Sequence, residues 1–269
     1  MPIKQSNLAV RTQFKPIAQS DYPITQLPNY QMHVSAVFFD VDFTLIRPGP
    51  TFQGVGYQAF CARYGIGVDP ARFETAVASA LRLLDDLDDD AYRRDLFIAF
   101  TRHIIEQMGG SGPRLDACAE EIYREWAACH HFELYDEVPQ VLQELSRAGL
   151  RIGLISNTER CLQSFQSHFE LRGLIAAAIS SFEHGYMKPH PSIFAAALAR
   201  IGARPDQAVM VGDSLRQDIE GALAAGMRAI WLRRGTAAPA TEHEVTGRGV
   251  RVIGSLRELP GMLMNLVNG

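Results

Sequence analysis

From residue 134 onward the apolar positions switch repeatedly between a helical and an extended pattern. Val138, Val141, Leu142 and Leu145 recur at helical spacing and predict a helix over 137–148. Short, mainly apolar runs at 150–155, 174–179, 208–211, 228–232 and 250–253 predict strands. Helices are predicted between them, over 159–169, 191–201 and 217–225. Gly149, Gly202 and Gly226 fall where helices end, a place suited to a left-handed cap. Pro191 stands at a first helical position, where its missing N–H costs nothing. Strands alternating with helices of this length predict an α/β fold with a doubly wound, mainly parallel, Rossmann-like sheet.

Upstream, 34–39 reads as a first strand, and 52–132 contains no convincing strand. Helices are predicted there over 52–64, 71–87, 90–108 and 114–129, with a break at Gly109-Gly110-Ser111-Gly112-Pro113. An all-helical block inserted after the first strand is placed to cover the sheet's crevice as a lid. The expected organisation is an N-terminal extension over 1–33, a catalytic core over 34–50 and 134–269, and a helical cap domain over 51–133. The extension is polar, carries prolines at 2, 16, 23 and 28, and shows no clear period.

Composition narrows the function classes. Hydrophobic residues make up 47% and charged residues 21%, ordinary for a soluble globular protein. A net charge of −4 gives no basic footprint for nucleic acid. Cys61, Cys118, Cys129 and Cys161 form no Cys-X-X-Cys pair, a pattern that suits free thiols in a reducing compartment. No run approaches the ~18 apolar residues of a membrane span, and the N-terminus lacks a signal-peptide core. The cytoplasm is the expected location. Oligomeric state is not legible in the sequence.

The candidate chemistry lies where predicted strands end. Asp40-Val41-Asp42-Phe43-Thr44 directly follows the first strand. Two carboxylates so close cannot both be buried unpaired, so they belong where the chain opens into the crevice, the ligand-binding edge of such sheets. They suit a divalent cation or acid/base chemistry. Ser156-Asn157 follows the 150–155 strand, and Gly212-Asp213-Ser214 follows 208–211 with Asp218 five residues beyond Asp213. Lys188, in Met187-Lys188-Pro189, lies in a loop after the 174–179 strand. All four clusters map to one sheet edge. Blander readings exist for some members. Ser156-Asn157 fits a helix N-cap, Lys188 an ordinary surface lysine, and Asp218 a first-turn acid favoured by the helix dipole.

Taken together and in order, these motifs resemble those of the haloacid dehalogenase superfamily. The resemblance spans 34 to about 260, and the helical insert is similar to the family's cap placed after the first motif. It implies that Asp40 is the nucleophile, forming an aspartyl-phosphate, and that Asp42 is the general acid/base. It implies Mg²⁺ held by the Asp40 side chain, the Asp42 backbone carbonyl and Asp213, with Asp218 acting through water or by holding Lys188. Thr44, Ser156 and Lys188 would meet phosphoryl oxygens, and Asn157 would offer a backbone N–H. The implied activity is Mg²⁺-dependent hydrolysis of a small phosphorylated metabolite. The alternatives are a 2-haloacid dehalogenase, a phosphomutase and a non-catalytic binding protein that keeps the fold. The family's dehalogenases typically carry Tyr in place of Asp42, which favours phosphate chemistry here. One departure stands out, because the family's phosphatases usually carry Gly where this chain has Phe43. Phe43 either sits in a turn needing no positive φ or alters the local geometry, and it is also placed to narrow the pocket or pack beneath the cap.

Other polar features have plainer readings. Arg47 is a candidate contact for an anionic substrate group. The acidic run over 85–90 reads as solvated surface. His130-His131 lacks the i, i+4 spacing of a helical metal pair. His184 and His190 flank Lys188 in a loop and are candidate substrate contacts.

Overall fold

The computed structural model describes residues 33–85, 90–234 and 249–267. The proposed extension over 1–33, apart from His33, and most of the acidic run at 85–90 lie outside the described residues.

Six strands form one parallel sheet: β1 (Ala36–Phe39), β4 (Arg151–Ser156), β5 (Ile175–Ser180), β6 (Ala208–Gly212), β7 (Arg228–Leu232) and β8 (Arg251–Ile253). The spatial order is β5-β4-β1-β6-β7-β8. From β1 the sheet grows outward on one side through β4 and β5, then on the other through β6, β7 and β8. The order therefore reverses at β1, and the crevice at its carboxyl end lies between β4 and β6. Register is in step across this centre, with Phe39 opposite Leu154 on one side and Val211 on the other.

Alternation along β1 builds both layers. Val37 and Phe39 join one core with Leu154, Val211 and residues of α5 (Val138–Arg147) and α6 (Leu162–His168). Ala36 and Phe38 join the opposite core with Met210 and residues of α8 (Pro191–Ile201) and α9 (Gly221–Ala224). Both faces of the sheet are thus covered by helices, and β1 is buried at every position. That explains why β1 is apolar throughout up to Asp40. Gly149, Gly202 and Gly226 take φ of 83°, 67° and 77°, as their place after helices requires.

Between β1 and α5 the described residues form four α-helices: α1 (Gly54–Arg63), α2 (Phe73–Asp85), α3 (Arg94–Gln107) and α4 (Leu115–Trp126). The chain enters and leaves this insertion through a two-stranded antiparallel ribbon, β2 (Ile46–Pro48) paired with β3 (Phe132–Leu134). At three residues each, these strands are too short for an alternating pattern to mark them. The turn after β5 carries the one-turn helix α7 (Ser181–His184), and α10 (Leu259–Val267) ends the described chain.

The segment after β6 departs from the predicted 217–225 helix. It opens as a π-helix, Leu215–Glu220, before α9 begins. The Ser214 carbonyl accepts from both Asp218 N–H at 3.0 Å and Ile219 N–H at 3.3 Å, and the second bond is the wider π-type closure. The first strand after the sheet's reversal point therefore leads into a turn shaped around Asp218.

Candidate active site

The crevice is built outward from Lys188. Its Nζ donates to Asp40 Oδ1 at 2.6 Å and to Asp218 Oδ1 at 2.6 Å. All three side chains are buried or nearly so. Asp40 follows β1, Lys188 stands ahead of α8, and Asp218 sits in the π-turn after β6, so three separate segments meet at one ammonium. Burying such charges is tolerable only with close pairing. Asp218's second oxygen accepts from Ser214 N–H at 3.0 Å. Both Asp218 oxygens are thus engaged, one holding Lys188 and the other closing its own turn.

Gly212 makes this possible. A Cβ there would lie 2.2 Å from Asp218 Oδ2, so only glycine lets β6 pass so close beneath the carboxylate.

Asp213 lies beside this pair, partly exposed. Its carbonyl accepts from Trp231 Nε1 at 2.9 Å, fixing the loop, and Thr44 Oγ1 lies 3.4 Å from its Oδ1. Asp40, Asp213 and Asp218 each bring a carboxylate oxygen within 4.8 Å of the others. Burial, with the Asp218 charge adding and Lys188 opposing, pushes the Asp213 carboxyl up to about 7. Burial also raises Asp40, a rise that Lys188 opposes and that Asp218 and Asp213 reinforce. Lys188 is raised in turn: its burial opposes the ammonium, but the Asp218 and Asp40 charges outweigh it. Three oxygen-bearing acids around one lysine hold more negative charge than the lysine offsets. This donor set fits a hard divalent cation such as Mg²⁺, with Asp40 and Asp213 the side chains free to ligate.

The remaining residues divide by what their side chains touch. Ser156 Oγ is buried and has no hydrogen-bond partner among the described residues. An unpaired buried hydroxyl is costly, and it stands at the carboxyl end of β4, next to β1. The Asn157 side chain is committed to the lysine loop: Oδ1 accepts from Lys188 N–H at 2.7 Å, while Nδ2 donates to the Lys188 carbonyl at 2.9 Å and to Gln217 Oε1 at 3.1 Å. It braces Lys188 from behind. Arg47 lies on β2, where it pairs with Glu133 of β3 at 3.2 Å and sits 5.7 Å from the Tyr135 ring centre. His184 and His190 both reach Ser192 Oγ at 2.7 Å, and His190 Nδ1 accepts from Ser192 N–H, so these histidines shape the start of α8.

Asp42 points elsewhere. Both its oxygens accept from Arg160 Nη1 at 3.0 Å. Arg160 is fully buried, stacks 4.4 Å from the Phe132 ring centre, and donates from Nη2 to the Trp126 carbonyl at 2.8 Å. Arg160 belongs to none of the sequence motifs. Its only signal was an arginine four residues past Ser156, close to a strand end.

Phe43 settles the question raised by its place in the motif. It adopts φ 63°, so the turn does require the left-handed region. Phe43 N–H donates to the Ile46 carbonyl at 2.7 Å, and its half-exposed ring packs 6.3 Å from that of Trp126 at the end of α4.

The fold and site together define a doubly wound α/β protein whose carboxylates and lysine converge at the strand-order reversal. Residues 34–226 match the family model of haloacid dehalogenase-like hydrolases, and the chain belongs to that family. It is 36% identical over 141 residues to the phosphoserine phosphatase of Thermus thermophilus, covering 50% of this chain and 53% of that protein. It is 33% identical over 173 residues to the N-acylneuraminate-9-phosphatase of Mus musculus, covering 61% and 65%. These matches span between about half and two thirds of the relatives' length. The crystal structure of 2-haloacid dehalogenase from Pseudomonas syringae superposes with a TM-score of 0.58 at 25% identity, covering 86% of this chain and 99% of that one. Among the described residues, no helix is long and apolar enough to cross a membrane.

Proposed function

We propose that the protein is a Mg²⁺-dependent phosphatase acting on a small phosphorylated metabolite. The observation that carries this reading is Lys188 held between Asp40 and Asp218 within a cluster of three acids. A phosphate dianion would be repelled by the carboxylates alone, and Lys188 plus a divalent cation reverse the local sign. The phosphatase names of the relatives support the same reading. Bound there, Mg²⁺ would supply charge neutralisation of the phosphoryl oxygens.

Asp40 is the nucleophile in this reading. Its second oxygen is not used by Lys188 and attacks phosphorus, forming an aspartyl-phosphate as the P–O bond to the leaving alcohol breaks. Lys188 neutralises charge on the transferring group, and the unpaired Ser156 hydroxyl donates to one of its oxygens. Asp42 gives a proton to the leaving oxygen and later takes one from the attacking water. In the structure both Asp42 oxygens are occupied by Arg160, so the acid/base role requires exchange of that ion pair. The helical insertion, carried on the β2–β3 ribbon, serves as the cap that excludes water, with Phe43 and Arg47 on its core-side approach. Cytoplasmic residence accords with this substrate class.

The test is hydrolysis of an aryl phosphate with and without Mg²⁺. Turnover that needs Mg²⁺ and vanishes in Asp40→Asn is expected. Robust turnover by Asp40→Asn removes the nucleophile assignment. Halide release from a 2-haloacid, with no phosphate release, replaces the reading with the dehalogenase one.

A further inference from the structure

Glu125, His130 and His131 lie outside the acidic site and have no part in the chemistry above. They flank the passage from the end of α4 to β3. Sequence spacing argued against a shared metal, because adjacent histidines on a helix diverge. Here the segment after Trp126 is not helical, and the chain folds back so that both rings meet one carboxylate. Glu125 Oε2 lies 3.2 Å from His131 Nε2 and 3.3 Å from His130 Nε2. The two ring centres are 4.0 Å apart, and all three donor atoms fall within 4.8 Å of one another.

We propose that Glu125, His130 and His131 form a second metal site, selective for a borderline transition metal of the Zn²⁺ class. Zn²⁺ bonds of about 2.0–2.1 Å at tetrahedral angles place neighbouring donor atoms about 3.3 Å apart. The nitrogen–oxygen separations of 3.2 and 3.3 Å lie close to that edge. Two imidazoles and one carboxylate suit Zn²⁺ and disfavour Mg²⁺, which prefers the all-oxygen set around Asp40. The two sites on this chain therefore sort metals by donor chemistry.

The ligands are held in place from behind. The His131 ring stands edge-on to Phe52 with centres 5.5 Å apart, and its carbonyl accepts from Gly49 N–H at 2.8 Å. His130 is more than half exposed, so the cluster is open to solvent on that side, and the same residue borders a cavity of about 330 Å³ with Cys129, Arg160, Cys161 and His168. A metal here ties the last turn of α4 to the residue before β3, one of the two strands joining the insertion to the sheet. The site acts as a clamp at that junction, and its three protein ligands leave a fourth position for water.

Calorimetry of the tag-free full-length protein, saturated with Mg²⁺ and titrated with Zn²⁺, tests the proposal. Co²⁺ serves as a spectroscopic probe of tetrahedral geometry. One equivalent should bind in wild type. Glu125→Gln and His130→Ala should each weaken it by about tenfold or more, while Asp213→Asn should leave it unchanged. The exposure of His130 makes that variant safe for folding. Absence of Zn²⁺ binding, full binding by both ligand variants, or loss in Asp213→Asn alone would each overturn the site. Failure of the phosphatase reading would leave it untouched, because the readout is metal binding.

Discussion

Arg160 binds both carboxylate oxygens of Asp42 through a single nitrogen, at 3.0 Å each, from a position with no solvent access. The pair joins the loop after β4 to the turn after β1. Through the Trp126 carbonyl, the same guanidinium reaches the last turn of α4. Asp42 is therefore oriented by a group that also contacts the insertion. Hydrogen bonds to a charged partner in such a setting are worth about 2 kcal/mol. A double-mutant cycle with Asp42→Asn and Arg160→Met, followed by urea unfolding, should give a coupling energy of about that size. Additive effects of the two substitutions would show that the pair is incidental.

The Asp213 carboxyl, raised to about 7 chiefly by burial, ties stability to pH and metal. A carboxyl raised on folding stabilises most below its ordinary range, and that contribution is lost as pH rises through about 7. Without a divalent cation the protein should lose stability between about pH 4 and pH 7 from this group. A cation must displace the retained proton at low pH but not above neutrality. The Tm gain produced by Mg²⁺ should therefore be larger at about pH 8 than at about pH 5.5. A gain equal at both values, or larger in acid, contradicts the assignment of Asp213 as a cation ligand.

Gly212 passes under Asp218 with no room for a methyl group. Gly212→Ala must push the Asp218 carboxylate away from Lys188, since the clash involves the carboxylate oxygen and carbon together. Displacement by about 1 Å of a group that positions the lysine should lower kcat by about 10²-fold. Far-ultraviolet circular dichroism should remain native, because β6 keeps its ladder. Unchanged kcat in a folded Gly212→Ala protein would mean that Asp218 does not position Lys188.

Much of this architecture is legible in the chain because its signals are local. Apolar runs followed by acids mark β1 and β6, and glycines at positive φ mark helix ends. The insertion's four helices follow from their apolar spacing. Asp40, Ser156, Lys188, Asp213 and Asp218 stand at strand ends or in loops that map to one edge of the sheet, and it is their shared edge that separates them from ordinary caps and surface charges. What escaped depends on long-range pairing. Arg160 meets Asp42 across 118 positions, and nothing near either residue announces the other. The Asn157 side chain is suited equally to a cap, a ligand contact or a brace, and only the return of the Lys188 loop selects the brace. His130 and His131 converge on Glu125 because the helix stops at Trp126, a boundary predicted three residues too late.

Phe43 offers the last test, because it is held in a backbone region that favours glycine. With φ at 63°, its Cβ crowds the following carbonyl, at a cost of about 1 kcal/mol or more. Its ring recovers part of this against Trp126, as aromatic pairs contribute about 0.5–1.5 kcal/mol. Phe43→Ala loses the ring contact and keeps the strain, whereas Phe43→Gly loses the contact and releases the strain. Urea unfolding should rank Phe43→Gly above Phe43→Ala by about 1 kcal/mol, with wild type within about 1 kcal/mol of the glycine variant. The comparison is informative because both variants remove the same aromatic ring. A more stable alanine variant would mean that the turn does not hold the left-handed conformation in solution. Equal stability of all three would mean that neither the strain nor the Trp126 contact is felt.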